Sequence, residues 1–88
     1  MAIYSNNFDK IYSKLLDELE VTNYEVSKFT HIDQGYLSSL RNGHKNNPSP
    51  EILVKIGLAL AHYGNKVKMK HIEELFNAAG RSLYKHRE

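Results

Sequence analysis

Small and polar side chains are concentrated in the segment Gln34 to Arg41. This segment holds one amide, one glycine, one tyrosine, two serines and an arginine around two leucines. Surface helices usually carry glutamate, lysine and alanine, which favour the helix more strongly. An amide can form two hydrogen bonds to one base edge, glycine allows close approach, and hydroxyls can reach bases or phosphates. The residue types therefore indicate contact with a nucleic-acid groove.

Two leucines decide which side of this segment would face outward. Leu37 and Leu40 are three residues apart, so a helix would turn both toward the interior. We expect the outward residues to contact bases, and they are Gln34, Gly35, Tyr36, Ser38 and Ser39. The alternative interpretation is an ordinary solvated helix face.

One helix-start pattern occurs twice, with its polar residues eleven positions apart at Thr22 and Asp33. Each of them follows an apolar residue and precedes another at the fourth helical position, which is typical of a hydrophobic staple around an N-cap. Glu25 completes a capping box with Thr22. Two short helices joined this tightly must cross steeply, as in proteins that present a helix to the DNA major groove.

The whole chain predicts an all-α fold, a compact bundle of about five helices. We expect one domain over residues 1–88, with helices at about 8–20, 23–30, 34–41, 50–62 and 68–84. The second helix should bury Val26 and Phe29. Asn42 and Gly43 supply a left-handed stop after the third helix, and Ser49 starts the fourth.

The composition argues against several classes of protein. The 88 residues include no cysteine, which excludes disulfides and thiolate metal sites. The five histidines lack the spacing of a metal site, and no catalytic or cofactor-binding motif occurs. We therefore expect no enzyme activity, no metal and no cofactor. The N-terminus does not resemble a secretion signal, and no apolar run could span a bilayer, so we expect a soluble, cytoplasmic protein.

Charge is distributed unevenly along the chain. Residues 1–25 hold two lysines and five acids, whereas residues 26–50 hold three basic residues and one acid. A polyanion would therefore prefer the segment around and after the repeated helix start. Side chains there that could contact the phosphate backbone are Tyr24, Lys28, Arg41, Asn42, His44, Lys45, Asn46 and Asn47. For any one of them, a solvated surface residue is the competing interpretation.

The stretch from Val21 to Gly43 resembles the helix-turn-helix of the Xre/phage-lambda-repressor-like (Cro/C1-type) family. Pro48 and the helix that follows it also fit, so the resemblance covers about residues 8–62. It implies a helical DNA-binding domain whose base contacts come from Gln34, Gly35 and Ser39. It also implies that the DNA backbone is held by Asn23, by Asn42 and by the loop after Gly43.

Two positions depart from the family pattern. Asn23 stands where the family usually has glutamine as a phosphate clamp, and it is one methylene shorter. His31 stands in the tight turn where glycine at positive φ is usual. Ser27 matches the small residue at the helix crossing.

The fifth predicted helix has an apolar face that could join two copies of the chain. A reading module of this size binds too few bases alone, and two copies on a two-fold axis would read two half-sites. The competing interpretation is that this face covers the core of its own domain. The residues of this face are Ile72, Leu75, Phe76, Ala79 and Leu83.

These observations favour a transcriptional regulator, a repressor that binds double-stranded DNA as a homodimer. The alternative is a protein-interaction adaptor or the antitoxin of a toxin–antitoxin pair, with a protein partner in place of DNA. A small nuclease is disfavoured, because no clustered carboxylates or histidines are present.

Overall fold

A computed structural model describes residues 7–45 and 47–79. This part of the chain consists of five helices joined by short connections, and it contains no strand. The all-α prediction is therefore confirmed. The helices are α1 (Phe8–Leu19), α2 (Asn23–Thr30), α3 (Gln34–Asn42), α4 (Pro50–Tyr63) and α5 (Met69–Ala78).

The predicted helix starts are formed by side-chain caps. Thr22 Oγ1 accepts a hydrogen bond from the Glu25 N–H, and the Glu25 carboxylate accepts one from the Thr22 N–H, both at 3.1 Å. Asp33 Oδ2 accepts from the Tyr36 N–H at 3.3 Å, and Ser49 caps α4 in the same way. These bonds satisfy backbone donors that the first turn of a helix leaves unpaired.

Three helix ends use the left-handed region. The residues after α1, α2 and α3 are Glu20 (φ 60°), His31 (φ 65°) and Gly43 (φ 90°). Gly64 follows α4 with ordinary φ, but a Cβ there would collide with the Leu60 carbonyl oxygen and the Val67 side chain. Glycine is needed at position 64 for space and at position 43 for its backbone conformation.

The core draws on all five helices. Helix α1 packs against α3 and α5, α2 packs against α3 and α4, and α4 packs against α5. Fully buried side chains include Tyr12, Leu15, Leu37, Ile56 and Leu75. The inner face of helix α3 therefore packs against α1 and α2.

The expected burial of Phe29 is wrong. Its side chain is 39% exposed, and its ring stacks on His62 of α4 with centroids 4.9 Å apart. Phe29 lies at the edge of the α2–α4 contact because Val26 and Thr30 take the inward positions at the end of α2.

The apolar face of α5 is mostly used inside the monomer. Leu75, Phe76 and Ala79 are buried in the core, which supports the competing interpretation for these three residues. Ile72 is half-buried, and Leu83 lies outside the described residues. The part of the fifth helix expected beyond residue 79 also lies outside them, and α5 ends at Ala78.

Candidate nucleic-acid interface

Helix α3 has the two faces that the sequence predicts. Leu37 and Leu40 are completely buried against α1 and α2. Gln34, Gly35 and Ser38 are exposed on the opposite side. Because the leucines fix the helix, the exposed residues of its first turns form a rigid surface with one amide, one hydroxyl and little steric bulk.

Tyr36 and Ser39 are less available than expected, because both are half-buried. The Tyr36 side chain packs against the core. The Ser39 hydroxyl donates a 3.1 Å hydrogen bond to the Gly35 carbonyl. A base contact by Ser39 would thus use the lone pairs of a hydroxyl whose proton is already engaged.

Gly35 has a local role that the sequence did not reveal. A Cβ at this position would lie 2.7 Å from Asp33 Oδ2, the oxygen that caps α3. A Cβ there would require the Asp33 carboxylate to shift from the position in which it accepts from the Tyr36 N–H. Gly35 therefore leaves the capping carboxylate in place and also leaves room for a close approach.

The turn between α2 and α3 is held by side-chain hydrogen bonds. Thr30 Oγ1 donates to the Val26 carbonyl at 2.7 Å and accepts from the Ile32 N–H at 3.1 Å. The Ser27 hydroxyl donates to the Ile32 carbonyl at 2.7 Å. His31 occupies the left-handed region at φ 65°, where the family resemblance implies glycine. These bonds fix the angle of α3 relative to α2.

Most of the predicted backbone-contacting residues lie on exposed surface. Lys28 lies over the ring of Tyr24, with Nζ 5.5 Å from its centroid. Asn42 Oδ1 accepts a 3.0 Å hydrogen bond from the His44 N–H, which orders the chain after α3. Asn46 lies outside the described residues. The exposed members of the set are Tyr24, Lys28, Asn42, His44, Lys45 and Asn47.

Arg41 forms an ion pair within the protein. Its guanidinium lies 2.9 Å from Asp17 Oδ1 of α1, and its carbonyl oxygen accepts from the Ser13 hydroxyl at 3.4 Å. The backbone contact predicted for Arg41 stays a prediction, and it requires the guanidinium to leave Asp17. Asp17 was not a predicted site residue, because an exposed acid of α1 gives no sign of its partner 24 positions later.

Asn23 also has a partner that sequence reasoning missed. The Tyr12 hydroxyl donates to Asn23 Oδ1 at 2.7 Å. Burial raises the pKa of the Tyr12 hydroxyl, an effect that the charge of Arg41 partly offsets. Tyr12 occupies a core position of α1, and a hydroxyl among apolar neighbours was the one sign that it needs a polar partner.

Two other kinds of site are absent from the described residues. Residues 7–45 and 47–79 hold no group of three or more histidines and acids placed to bind a metal ion. None of the helices in these ranges has the length and hydropathy needed to cross a bilayer.

Comparison with known proteins agrees with the geometry of α2 and α3. A family model described as helix-turn-helix matches residues 13–61, more than half of the chain. The match begins within α1 and ends within α4, so it includes the whole of α2 and α3. Comparison with curated proteins and with solved structures gave no significant match. The chain belongs to the Xre/lambda-repressor-like helix-turn-helix family of DNA-binding regulators.

Proposed function

We propose that this protein is a transcriptional repressor that binds a two-fold symmetric operator as a homodimer. The observation that carries the proposal is the two-faced α3. Its leucines are completely buried, while Gln34, Gly35 and Ser38 are exposed beside one another. A helix fixed in this way can enter the major groove without rearrangement of the domain.

Base recognition is assigned to the first turns of α3. Gln34 is the strongest candidate, because an amide can pair with both N6 and N7 of adenine. Gly35 lets the helix approach the base edges, and Ser38 can donate or accept one hydrogen bond. Tyr36 and Ser39 contribute through their exposed parts only, since both are half-buried.

Backbone contacts surround these positions. Lys28 and Lys45 provide positive charge on either side of α3, and Asn42, His44 and Asn47 provide donors in the loop after it. Asn23 at the start of α2 donates to a phosphate in this proposal. Such contacts set the register of the protein on DNA without reading its sequence.

The surface that joins two copies is proposed to be the apolar face shared by α4 and α5. Val54, Leu58 and Met69 are 49%, 56% and 62% exposed, and with Ile72 they line one open groove. We call this set the α4–α5 surface. It replaces the buried α5 residues Leu75 and Ala79 as the main dimer contact, whereas Phe76 lines the same groove with only 8% of its surface exposed.

Charge along α4 favours a second copy as the occupant of this surface. Glu51 lies at the start of α4, where it also pairs with Lys55 at 3.6 Å, and Lys66 and Lys68 follow the end of the helix. A two-fold axis near Leu58 would run two α4 helices antiparallel, which sets the acidic end of each against the basic end of the other. The same patch would then be complementary to itself, as an isologous interface requires.

The proposal is tested by selecting bound duplexes from a random pool. Enrichment of a two-fold symmetric site would support both the operator and the dimer, and repression would follow if this site overlaps a promoter. Failure to enrich any sequence would count against the proposal. A supercoiled plasmid incubated with the protein should remain uncut, since no enzyme activity is proposed.

The adaptor or antitoxin remains the second candidate, because the α4–α5 surface could hold a protein partner of a different sequence. Salt dependence separates the two. Duplex affinity that falls steeply with salt indicates neutralised phosphates. Absence of duplex binding at low salt, together with a monomeric protein, would favour the adaptor.

A further inference from the structure

A buried tyrosine of α1 holds a half-buried asparagine at the first position of α2. Tyr12 has no exposed surface, and its hydroxyl lies 2.7 Å from Asn23 Oδ1. The ring of Tyr12 stacks on Phe8 with centroids 5.7 Å apart, which limits its movement. The hydroxyl is therefore a fixed hydrogen-bond donor beneath the start of α2.

The two ends of an asparagine amide have opposite chemistry. Its carbonyl oxygen only accepts hydrogen bonds, whereas its NH2 group donates two. A phosphate oxygen can only accept, so it requires the NH2 end. The reversed amide would turn its carbonyl toward the phosphate, and two acceptors would then face each other.

We infer that Tyr12 is a positioning residue that orients the Asn23 amide so that its NH2 group faces the DNA phosphate. This inference rests on the proposed function. The Tyr12 proton occupies the carbonyl end of the amide, which leaves both NH2 hydrogens for the outer side. The free protein thus already holds the orientation that phosphate binding needs.

The shorter side chain at position 23 makes this support important. Asparagine has one methylene fewer than glutamine, so it has less freedom to adjust its amide to a phosphate. An amide oriented before binding loses less conformational freedom on binding. The ordinary pKa of a tyrosine hydroxyl, 10.0, already keeps it protonated in the neutral range, and burial raises the pKa of Tyr12 further, so the hydroxyl donates there.

The experiment compares Tyr12→Phe, Asn23→Ala and the double variant by duplex titration at fixed salt. Tyr12→Phe retains the ring and removes only the donor. We expect it to weaken binding about three- to tenfold, equally for the selected operator and an unrelated duplex, because phosphate contacts carry no base information. We expect Tyr12→Phe to add less than about a twofold loss in the Asn23→Ala background.

The Asn23→Asp variant provides a second test, in which the tyrosine hydroxyl is retained. Aspartate retains an acceptor for Tyr12 but has no NH2 group, and it places an anion near the phosphate. We expect a folded protein by circular dichroism that binds both duplexes at least about tenfold more weakly than the wild type.

Three results would overturn the inference. Tyr12→Phe could bind like the wild type, it could weaken binding as much in the Asn23→Ala background as in the wild type, or Asn23→Asp could bind normally. Should the wild type bind no duplex at low salt, the proposed function itself fails, and the inference fails with it. Wild-type binding with an unaffected Tyr12→Phe variant refutes the inference alone.

Discussion

The guanidinium of Arg41 lies 2.9 Å from the carboxylate of Asp17, so the one cation at the end of α3 faces α1 in the described structure. Asp17 is largely exposed, and an exposed ion pair of this kind contributes only about 0.2–1 kcal/mol. A nearby phosphate could therefore compete with Asp17 for Arg41.

Asp17→Asn should release Arg41 toward the phosphate. We expect duplex affinity to rise about two- to fivefold and the logarithmic salt slope to steepen by about 1, for one added phosphate contact. Titrations at several salt concentrations measure both. Glu18→Gln is the matched control, because it removes the same charge from a neighbouring exposed position of α1. Equal effects of the two variants would mean that Arg41 remains on α1.

Gln34→Ala and Lys45→Ala should have different effects on sequence preference. We expect Gln34→Ala to reduce discrimination at one base of each half-site by about 1–3 kcal/mol. Lys45→Ala should weaken all duplexes alike and make the salt slope shallower. Competition binding with single-base operator variants distinguishes the two patterns. A loss of specificity in Lys45→Ala instead would contradict the assignment of α3 to base reading.

Leu58→Glu should produce a folded monomer. Leu58 is 56% exposed on the α4–α5 surface, so glutamate there costs the monomer little but would place two like charges near the two-fold axis. Sedimentation measures the oligomeric state, and operator binding should weaken in parallel. Asn77→Glu adds the same charge at an exposed site of α5 and should leave the dimer intact.

A Phe76→Asp variant would not test the dimer interface. Phe76 is only 8% exposed within the monomer, so aspartate there would place a charge in the core and unfold the domain. A dimeric Leu58→Glu protein would refute the α4–α5 surface as the interface.

His31→Gly should stabilise the domain. His31 adopts φ 65°, a conformation that disfavours residues with a Cβ. We expect a gain of about 0.5–1 kcal/mol in the free energy of unfolding, measured in urea. Glu20→Gly, at φ 60° after α1, should give a similar gain and serves as the matched comparison. A loss of stability in His31→Gly alone would show that the imidazole supports the turn.

Stability should fall at high pH because of Tyr12. Burial raises the pKa of this hydroxyl above its ordinary value of 10.0, with a smaller opposing effect from Arg41. Above about pH 10 the unfolded chain loses this proton while the folded protein retains it, so rising pH favours unfolding. The contribution is complete below about pH 10 and decreases by up to about 1.4 kcal/mol per pH unit above it. Urea titrations at about pH 8.5–10.5 should show a steeper decline for the wild type than for Tyr12→Phe.

Local features of the fold were predictable from sequence. Thr22, Asp33 and Ser49 cap helices through bonds to residues three positions away, so a short window contains both partners. The burial of Leu37 and Leu40 follows from their spacing in the same way. These signals were sufficient to predict α3 and its outward face.

Contacts between distant positions were not predictable. Phe29 lies at an edge, Leu75 enters the core, and Arg41 pairs with Asp17, each because of how whole helices pack together. Helical periodicity identifies an apolar face but not whether another helix or another molecule covers it. The buried residues of α5 and the exposed α4–α5 surface therefore could not be distinguished from sequence. Tyr12 has the helical spacing of an ordinary core residue, so its bond to Asn23 was not predicted.

Two exposed residues of α3, Gln34 and Ser38, have no structural role in the described part of the chain. Neither the amide of Gln34 nor the hydroxyl of Ser38 forms a side-chain hydrogen bond within residues 7–45 and 47–79, whereas Asp33, Tyr36 and Leu37 secure the helix around them. Substitutions at these two positions should change DNA preference at almost no cost in folding. A duplicated gene for this chain could therefore diverge to a new target within a few mutations, and laboratory retargeting should begin at Gln34 and Ser38.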